Sequence, residues 1–171
     1  PTLLWDHIPD SERGLRDLMA QYDDMLFLMY TNGTLIDGKM AAEMAQLGNV
    51  TPAISIEGRR EQTDARRGEG VYDSVLGAMA ALREERVLFG ASVTYTSQNW
   101  ETVASDEFID ELIDLGCMYA WYFMYVPIGR DPDLSLMATA QQRDVVARKT
   151  WEWLVGKPIF VADFWNSGAL T

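Results

Sequence analysis

The chain has 171 residues, of which 48% are hydrophobic and 23% charged, the make-up of one soluble globular domain and not of a disordered segment. Fourteen Lys and Arg against 26 Asp and Glu leave a net charge of −12, a field that repels polyanions and excludes general nucleic-acid binding. One cysteine and one histidine exclude an internal disulfide and any multi-histidine metal site, so no metal ligands are expected within the chain.

No apolar run reaches the ~18 residues of a membrane span. The longest, Met118 to Ile128, holds three tyrosines and a proline. The chain opens with no basic n-region and no signal-peptide h-region. A cytoplasmic protein with no membrane partner is expected. The sequence begins at Pro1 and stops at Thr171, and both ends read as cut from something larger.

Ser11 opens a first helix within Ser11 to Tyr22, with Leu15, Leu18, Met19 and Tyr22 on one face. The apolar run Met25 to Tyr30 is a strand, closed by Thr31-Asn32-Gly33. Asp37 caps a second helix that carries Met40, Ala41, Met44 and Leu47 and stops at Gly48. Val50 to Ile56 is the next strand, closed by Glu57-Gly58. Arg59 to Gly70 reads as a polar loop with four arginines, Arg59, Arg60, Arg66 and Arg67. A third helix covers Val71 to Arg83, a strand Arg86 to Thr96, and a fourth helix Ser105 to Leu115, ended by Gly116. The fourth strand is Met118 to Val126, closed by Pro127-Ile128-Gly129. A long fifth helix, Leu134 to Val155, precedes the last strand, Pro158 to Phe164.

Five helices and five strands therefore alternate. Strands joined by helical crossovers are parallel, with right-handed connections. A complete eight-unit barrel takes about 250 residues. The chain is thus an open α/β sheet or part of a (β/α) TIM-type barrel, with residues 1–171 read as a single domain.

Ligands of parallel α/β folds bind beyond the carboxyl ends of the strands. Those ends here carry hydroxyls, amides, glycines and two carboxylates, Glu57 and Asp163. Each segment alone is also ordinary turn chemistry. No GxGxxG loop, Walker A sequence, GxSxG elbow, HExxH or CxxC is present. His7 reads as a surface or cap residue, Cys117 as a buried thiol, and the many Met and Trp as packing. Arg66-Arg67 could pair with Glu57 or hold a ligand carboxylate. Composition alone favours a solvated basic loop that offsets an acidic protein.

Several of these segments together resemble one family. Phe27 to Ile36, with Thr31-Asn32-Gly33-Thr34-Leu35, resembles the third strand of radical S-adenosylmethionine (radical SAM) enzymes. Ser55-Ile56-Glu57-Gly58 is similar to the fourth-strand S-x-D-G pattern, with Glu for Asp. Asp64 to Tyr72 resembles the D-x-x-R-G-x-G-aromatic segment. Val93-Thr94 with Asn99 resembles the fifth strand, and Pro127-Ile128-Gly129 the sixth-strand P-x-G. Asp163 to Gly168 looks like the segment before a cysteine-rich SPASM-type extension. The likeness covers about Pro1 to Gly168.

The resemblance implies a partial barrel whose parent binds S-adenosylmethionine and a [4Fe-4S] cluster. It implies reductive cleavage of the cofactor and hydrogen abstraction from a small-molecule or peptide substrate. Ser55 and Glu57 would lie near the ribose or amino-acid part of the cofactor. Arg67, directly before Gly68, would meet its carboxylate. Thr31 and Asn32 would line the same mouth, and Asn99 and Pro127 would lie near the adenosine or substrate. Asp163 is the candidate for proton transfer, and could equally brace Trp165. The family's CxxxCxxC cluster loop is absent from the sequence, and so is its GGEP-like segment unless Pro1 ends it. One thiolate cannot hold a cubane cluster. This chain would then be a fragment without front strands or C-terminal extension, inactive alone, with an exposed sheet edge that invites self-association. Two further readings stay open. One is a non-catalytic α/β module that binds a ligand or partner. The other is a cluster-free hydrolase or aldolase using Glu57 and Asp163, which requires the two to converge.

Overall fold

A computed structural model describes residues 4–6, 14–129 and 131–165. The expected cap Ser11, His7 and the segment Asn166 to Gly168 lie outside them. The described strands are β1 (Phe27–Thr31), β2 (Val50–Ile56), β3 (Gly90–Tyr95), β4 (Tyr119–Met124) and β5 (Phe160–Asp163). The helices are α1 (Leu15–Gln21), α2 (Gly38–Leu47), α3 (Arg60–Arg67), α4 (Val71–Glu84), α5 (Trp100–Val103), α6 (Asp106–Leu115) and α7 (Ala140–Gly156).

Local chemistry sets many of the boundaries. Asp37 accepts the Met40 N–H at 2.9 Å to open α2. Gly48 closes that helix in the left-handed region, at φ 69°, where a Cβ would be strained. Ser105 caps α6 through the Phe108 N–H. Thr139 and Gln142 form a reciprocal capping box at the start of α7.

Three expectations need correction. The stretch Arg59 to Gly70 is no loop: residues 60–67 form α3. This helix is polar almost all round, so it carries no apolar period. Tertiary contacts fix it instead, through Thr63, which is fully buried, and the Arg60–Asp73 pair. Between β3 and α6 lies a short extra helix, α5. The fifth helix begins at Ala140, not Leu134, because Leu134–Leu136 is a single 3₁₀ turn.

All pairings are parallel and the spatial order is β1-β2-β3-β4-β5. A doubly wound sheet reverses its strand order; this one does not. With right-handed crossovers, an unreversed order puts every helix on one face. The architecture is therefore a partial (β/α) barrel.

Register separates the faces. Tyr30, Ala53, Gly90, Tyr119 and Phe160 lie side by side. By the two-residue period, Ser55, Ser92, Trp121 and Phe123 share their face. Ile54, Ile56, Val93, Tyr95, Tyr122 and Val161 point the other way. They are almost fully buried against Val75, Met79, Leu82, Phe108, Leu112 and Trp153 of the helices. The bare face is concave. Tyr30 on β1 and Phe123 on β4 bring their ring centroids to 5.8 Å, whereas a flat sheet would hold those strands about 14 Å apart. At the amino end of the trough, the Tyr119 ring lies over Gly90 and its hydroxyl donates to Pro52 O at 2.9 Å. A Cβ on Gly90 would stand 2.4 Å from that ring.

Candidate functional site

The carboxyl ends of β2, β3 and β4 meet at a cluster built on Glu57. Its side chain is 1% exposed. Helix α3 folds back over the end of β2 and delivers two consecutive arginines to it. Arg66 Nη1 donates to Oε2 at 3.1 Å. Arg67 donates to Oε1 through Nε at 3.0 Å and also through Nη2. The solvated-loop reading of these arginines is thus overturned. Two guanidinium groups on one carboxylate leave one net positive charge in a protein of net charge −12.

The surrounding residues hold this cluster in place. The Glu57 N–H donates to Thr63 Oγ1, whose hydroxyl donates to Gly58 O. Asp64 accepts the Tyr72 N–H at 2.8 Å and so caps α4. Gly68 and Gly70, at φ 112° and 79°, turn the chain between the two helices. The Asp, Arg and Gly residues of this motif therefore have separate mechanical duties. Tyr72 donates to Glu111 Oε1 at 2.8 Å. Burial, then that hydrogen bond, pushes its phenol up to about 12.

Asn99 is 5% exposed and committed to the strand ends. Its Nδ2 donates to Glu57 O and Thr94 O, while its Oδ1 accepts from Thr96 N and Thr96 Oγ1. It ties the ends of β2 and β3 together and has little capacity left for a ligand. A cavity of about 330 Å³ opens beside it, lined by Glu57, Glu61, Arg66, Thr96, Gln98 and Leu136 among others. Tyr125, just past β4, lies 5.4 Å from the Arg66 guanidinium carbon.

The other sequence candidates are more dispersed. Thr31 Oγ1 accepts the Gly33 N–H, and Asn32 Oδ1 accepts from Thr34 N and Thr34 Oγ1, so both stabilise the turn after β1. Ser55 is half-buried on the trough side of β2, and Pro127 is half-buried in the segment after β4. Asp163 lies on the helix-facing side of β5, 1% exposed, where Oδ1 accepts the Trp165 N–H at 3.1 Å. It stands three strands from Glu57 on the diverging face, so the structure does not bring the two carboxylates together.

Sequence reading missed the aromatic trough. Tyr30 meets Phe123, Phe123 meets Phe164 at 5.3 Å, and Trp121 meets Phe160 at 6.0 Å. Tyr30, Phe160, Phe164 and Trp165 are about half exposed. The signal available was the spacing of aromatics at every second residue in 119–123, here three in a row on one face.

Cys117 lies before β4, at the opposite end of the sheet. It is 2% exposed, and burial pushes its thiol up to about 12. With one cysteine in 171 residues, this chain does not hold a four-thiolate cluster. Among the described residues no group of three or more His, Cys, Asp or Glu could hold a metal ion. An S-adenosylmethionine does suit the residues present: surplus positive charge for a carboxylate and a cavity of ligand size, with the Ser55 hydroxyl two residues before Glu57 and outside that cavity's lining. No helix among the described residues is long and apolar enough to cross a membrane.

No protein-family model matches the chain. It is 30% identical over 150 residues to the Fe-coproporphyrin III synthase of Methanosarcina barkeri, which covers 83% of this chain and 37% of that relative. It is 29% identical over 136 residues to the mycofactocin maturase MftC of Mycolicibacterium smegmatis, covering 74% of this chain and 32% of that one. Among solved structures, Streptococcus suis SuiB superposes with a TM-score of 0.73 at 13% identity, over 89% of this chain and 36% of SuiB. SuiB has been solved bound to S-adenosylmethionine and to the precursor peptide SuiA. The chain thus spans about a third of the length of the relatives it matches. The motif residues at the strand ends and these relatives agree, and the chain belongs to the radical S-adenosylmethionine enzymes of the SPASM-associated type.

Proposed function

We propose that this chain forms the S-adenosylmethionine-binding mouth and part of the substrate trough of a cytoplasmic radical SAM enzyme that modifies a peptide. The observation that carries the reading is the Glu57–Arg66–Arg67 cluster at the strand ends. It is a positively charged platform on a buried carboxylate, beside a cavity of about 330 Å³. When bound, S-adenosylmethionine would supply carbon–sulfur cleavage and hydrogen abstraction, with the one electron required coming from a [4Fe-4S] cluster that residues outside this chain would hold. The chain's own residues bind and orient. Ser55 offers a hydroxyl toward the ribose or amino-acid part. Thr31 and Asn32 shape the turn at the rim, Pro127 bounds it on the β4 side, and Asn99 keeps the β2 and β3 ends in register. Asp163 braces Trp165 at the trough's far wall.

A peptide substrate is supported by the trough and by SuiB, which has been solved with its precursor peptide. An iron coproporphyrin carries carboxylates that need cationic partners. Among the described residues, the concave face of the strands carries aromatic, aliphatic and small hydroxylated side chains and no Lys or Arg. Such a wall suits a neutral apolar or aromatic side chain.

The test is equilibrium binding of S-adenosylmethionine to the whole protein that carries this chain, with release of 5′-deoxyadenosine followed under reducing, oxygen-free conditions. Binding should be saturable and weakened at least ~10-fold by the paired substitution Arg66→Ala and Arg67→Ala. A protein that binds no S-adenosylmethionine overturns the reading.

A further inference from the structure

The concave face has an uneven relief. Its two central strands meet there through small side chains, Ala53 beside Gly90 and Ser55 beside Ser92. The interior of a closed barrel is filled by layers dominated by Val, Ile and Leu. Here the large groups are rings, and they come from the flanking strands. Thr94 pairs with Phe123, and the same register places Phe123 level with Glu57, two strands away. The rings thus stand next to the proposed cofactor mouth, at the carboxyl end of the sheet.

Four rings form one continuous row. Tyr30 meets Phe123 with centroids 5.8 Å apart and planes at 73°. Phe123 meets Phe164 at 5.3 Å and 34°, and Phe164 meets Trp165 at 5.8 Å and 86°. Phe123, in the middle, is half-buried; the other three are about half exposed. Rings exposed in a contiguous row mark a binding surface, unlike apolar residues scattered singly. Two of the three contacts are edge-to-face. Rings so arranged turn their faces apart and do not build the cage that a cation needs. They offer both edges and faces, which an aromatic guest meets in offset or edge-to-face contact and an aliphatic one does not. Two neutral donors stand beside the row, the Tyr30 hydroxyl and Nε1 of Trp121, the residue level with Ser92. Neither has a hydrogen-bond partner among the described residues, and both suit main-chain carbonyls of a peptide.

We infer that Phe123, flanked by Tyr30 and Phe164, is a specificity-determining residue that seats an aromatic side chain of the peptide as an anchor beside the mouth. This rests on the proposed peptide-modifying function and narrows it. A merely apolar wall accepts aliphatic and aromatic residues alike; inclined rings in a row select a ring. The Tyr30 hydroxyl and the Trp121 indole N–H hold the main chain of the same peptide.

The probes are capped tripeptides, acetyl-Gly-X-Gly-amide, with X set to Trp, Phe, Leu, Ser, Lys and Glu. Their dissociation constants are measured by NMR titration on the whole protein that carries this chain, as wild type, Phe123→Leu and Phe164→Leu, with thermal unfolding of each. S-adenosylmethionine binding to wild type is measured separately. Wild type should bind the Trp and Phe peptides at least ~10-fold more tightly than the Ser, Lys and Glu peptides, and ~2–10-fold more tightly than the Leu peptide. Phe123→Leu should bring the Trp and Leu peptides within ~2-fold of each other. Phe164→Leu, at an exposed position, should reduce the same advantage and carries the test where Phe123→Leu does not fold. The inference is overturned if the Leu or Lys peptide binds wild type as tightly as the ring peptides, if no peptide binds saturably, or if both folded variants keep the full preference for rings. A wild type that prefers rings but binds no S-adenosylmethionine removes the proposed function and leaves the anchor site. One that binds S-adenosylmethionine without preferring rings removes the anchor alone.

Discussion

Glu57 shows how one residue joins stability to binding. It is buried, and its charge is tolerable only because two guanidinium groups face it. Replacing it with Gln leaves Arg66 and Arg67 facing each other across a neutral amide. Breaking a buried pair from one side costs about 3–5 kcal/mol. The arginines are partly solvated, so the lower end applies, on the order of 3 kcal/mol. For a domain of this size that lowers the unfolding temperature by roughly 6–12 °C. Differential scanning calorimetry of Glu57→Gln checks it; a shift below about 2 °C would mean the cluster contributes little. Sequence placed Glu57 at a strand end and named the arginine pairing as possible. Composition could not choose it over solvation, because the choice depends on α3 folding back over β2.

At the scale of elements, Asp106 couples two helices. It is the first residue of α6, and it accepts a hydrogen bond from Trp153 Nε1 of α7 at 2.6 Å. That bond, and then Lys149, hold its carboxyl below the usual range. A folded value below the unfolded one stabilises the fold fully above the ordinary carboxylate pKa, near ~3.9. The stabilisation is lost as pH falls through the folded value. Asp106→Asn should therefore unfold at a lower temperature than wild type at pH 7, and the gap should close in strong acid. Thermal melts from pH 7 to 2 test this, and a gap independent of pH would assign the loss to packing. The caps that begin these helices were readable, since Asp37 and Ser105 act within three residues of themselves. Helix α3 was not readable, because its stabilising partners, Glu57 and Asp73, lie outside it.

At the scale of the molecule, the sheet has two open sides among the described residues. β1 pairs only with β2, and β5 only with β4. Beside the first edge, Leu26 is 76% exposed, Leu28 42% and Tyr30 51%. An edge strand with apolar neighbours recruits another strand. The 171-residue chain should therefore form dimers or larger species at high concentration. Leu26→Lys with Leu28→Lys should shift it toward monomer. Multi-angle light scattering decides: a wild-type chain that stays monomeric at high concentration ends this expectation.

Some features of this protein are properties of the sequence itself. Apolar runs that alternate with amphipathic periods dictate parallel strands and covering helices, since period and burial are local. Polar residues and glycines at the strand ends mark the rim for the same reason. Other features exist only in three dimensions. The unreversed strand order makes a partial barrel where the sequence left an open sheet equally allowed. Curvature brings Tyr30 to Phe123 across two intervening strands and makes a trough wall of aromatics scattered along the sequence. The burial of Glu57 separates two adjacent arginines into one that neutralises and one that faces the cavity, because desolvation, which no sequence spacing encodes, determines which charge must be paired.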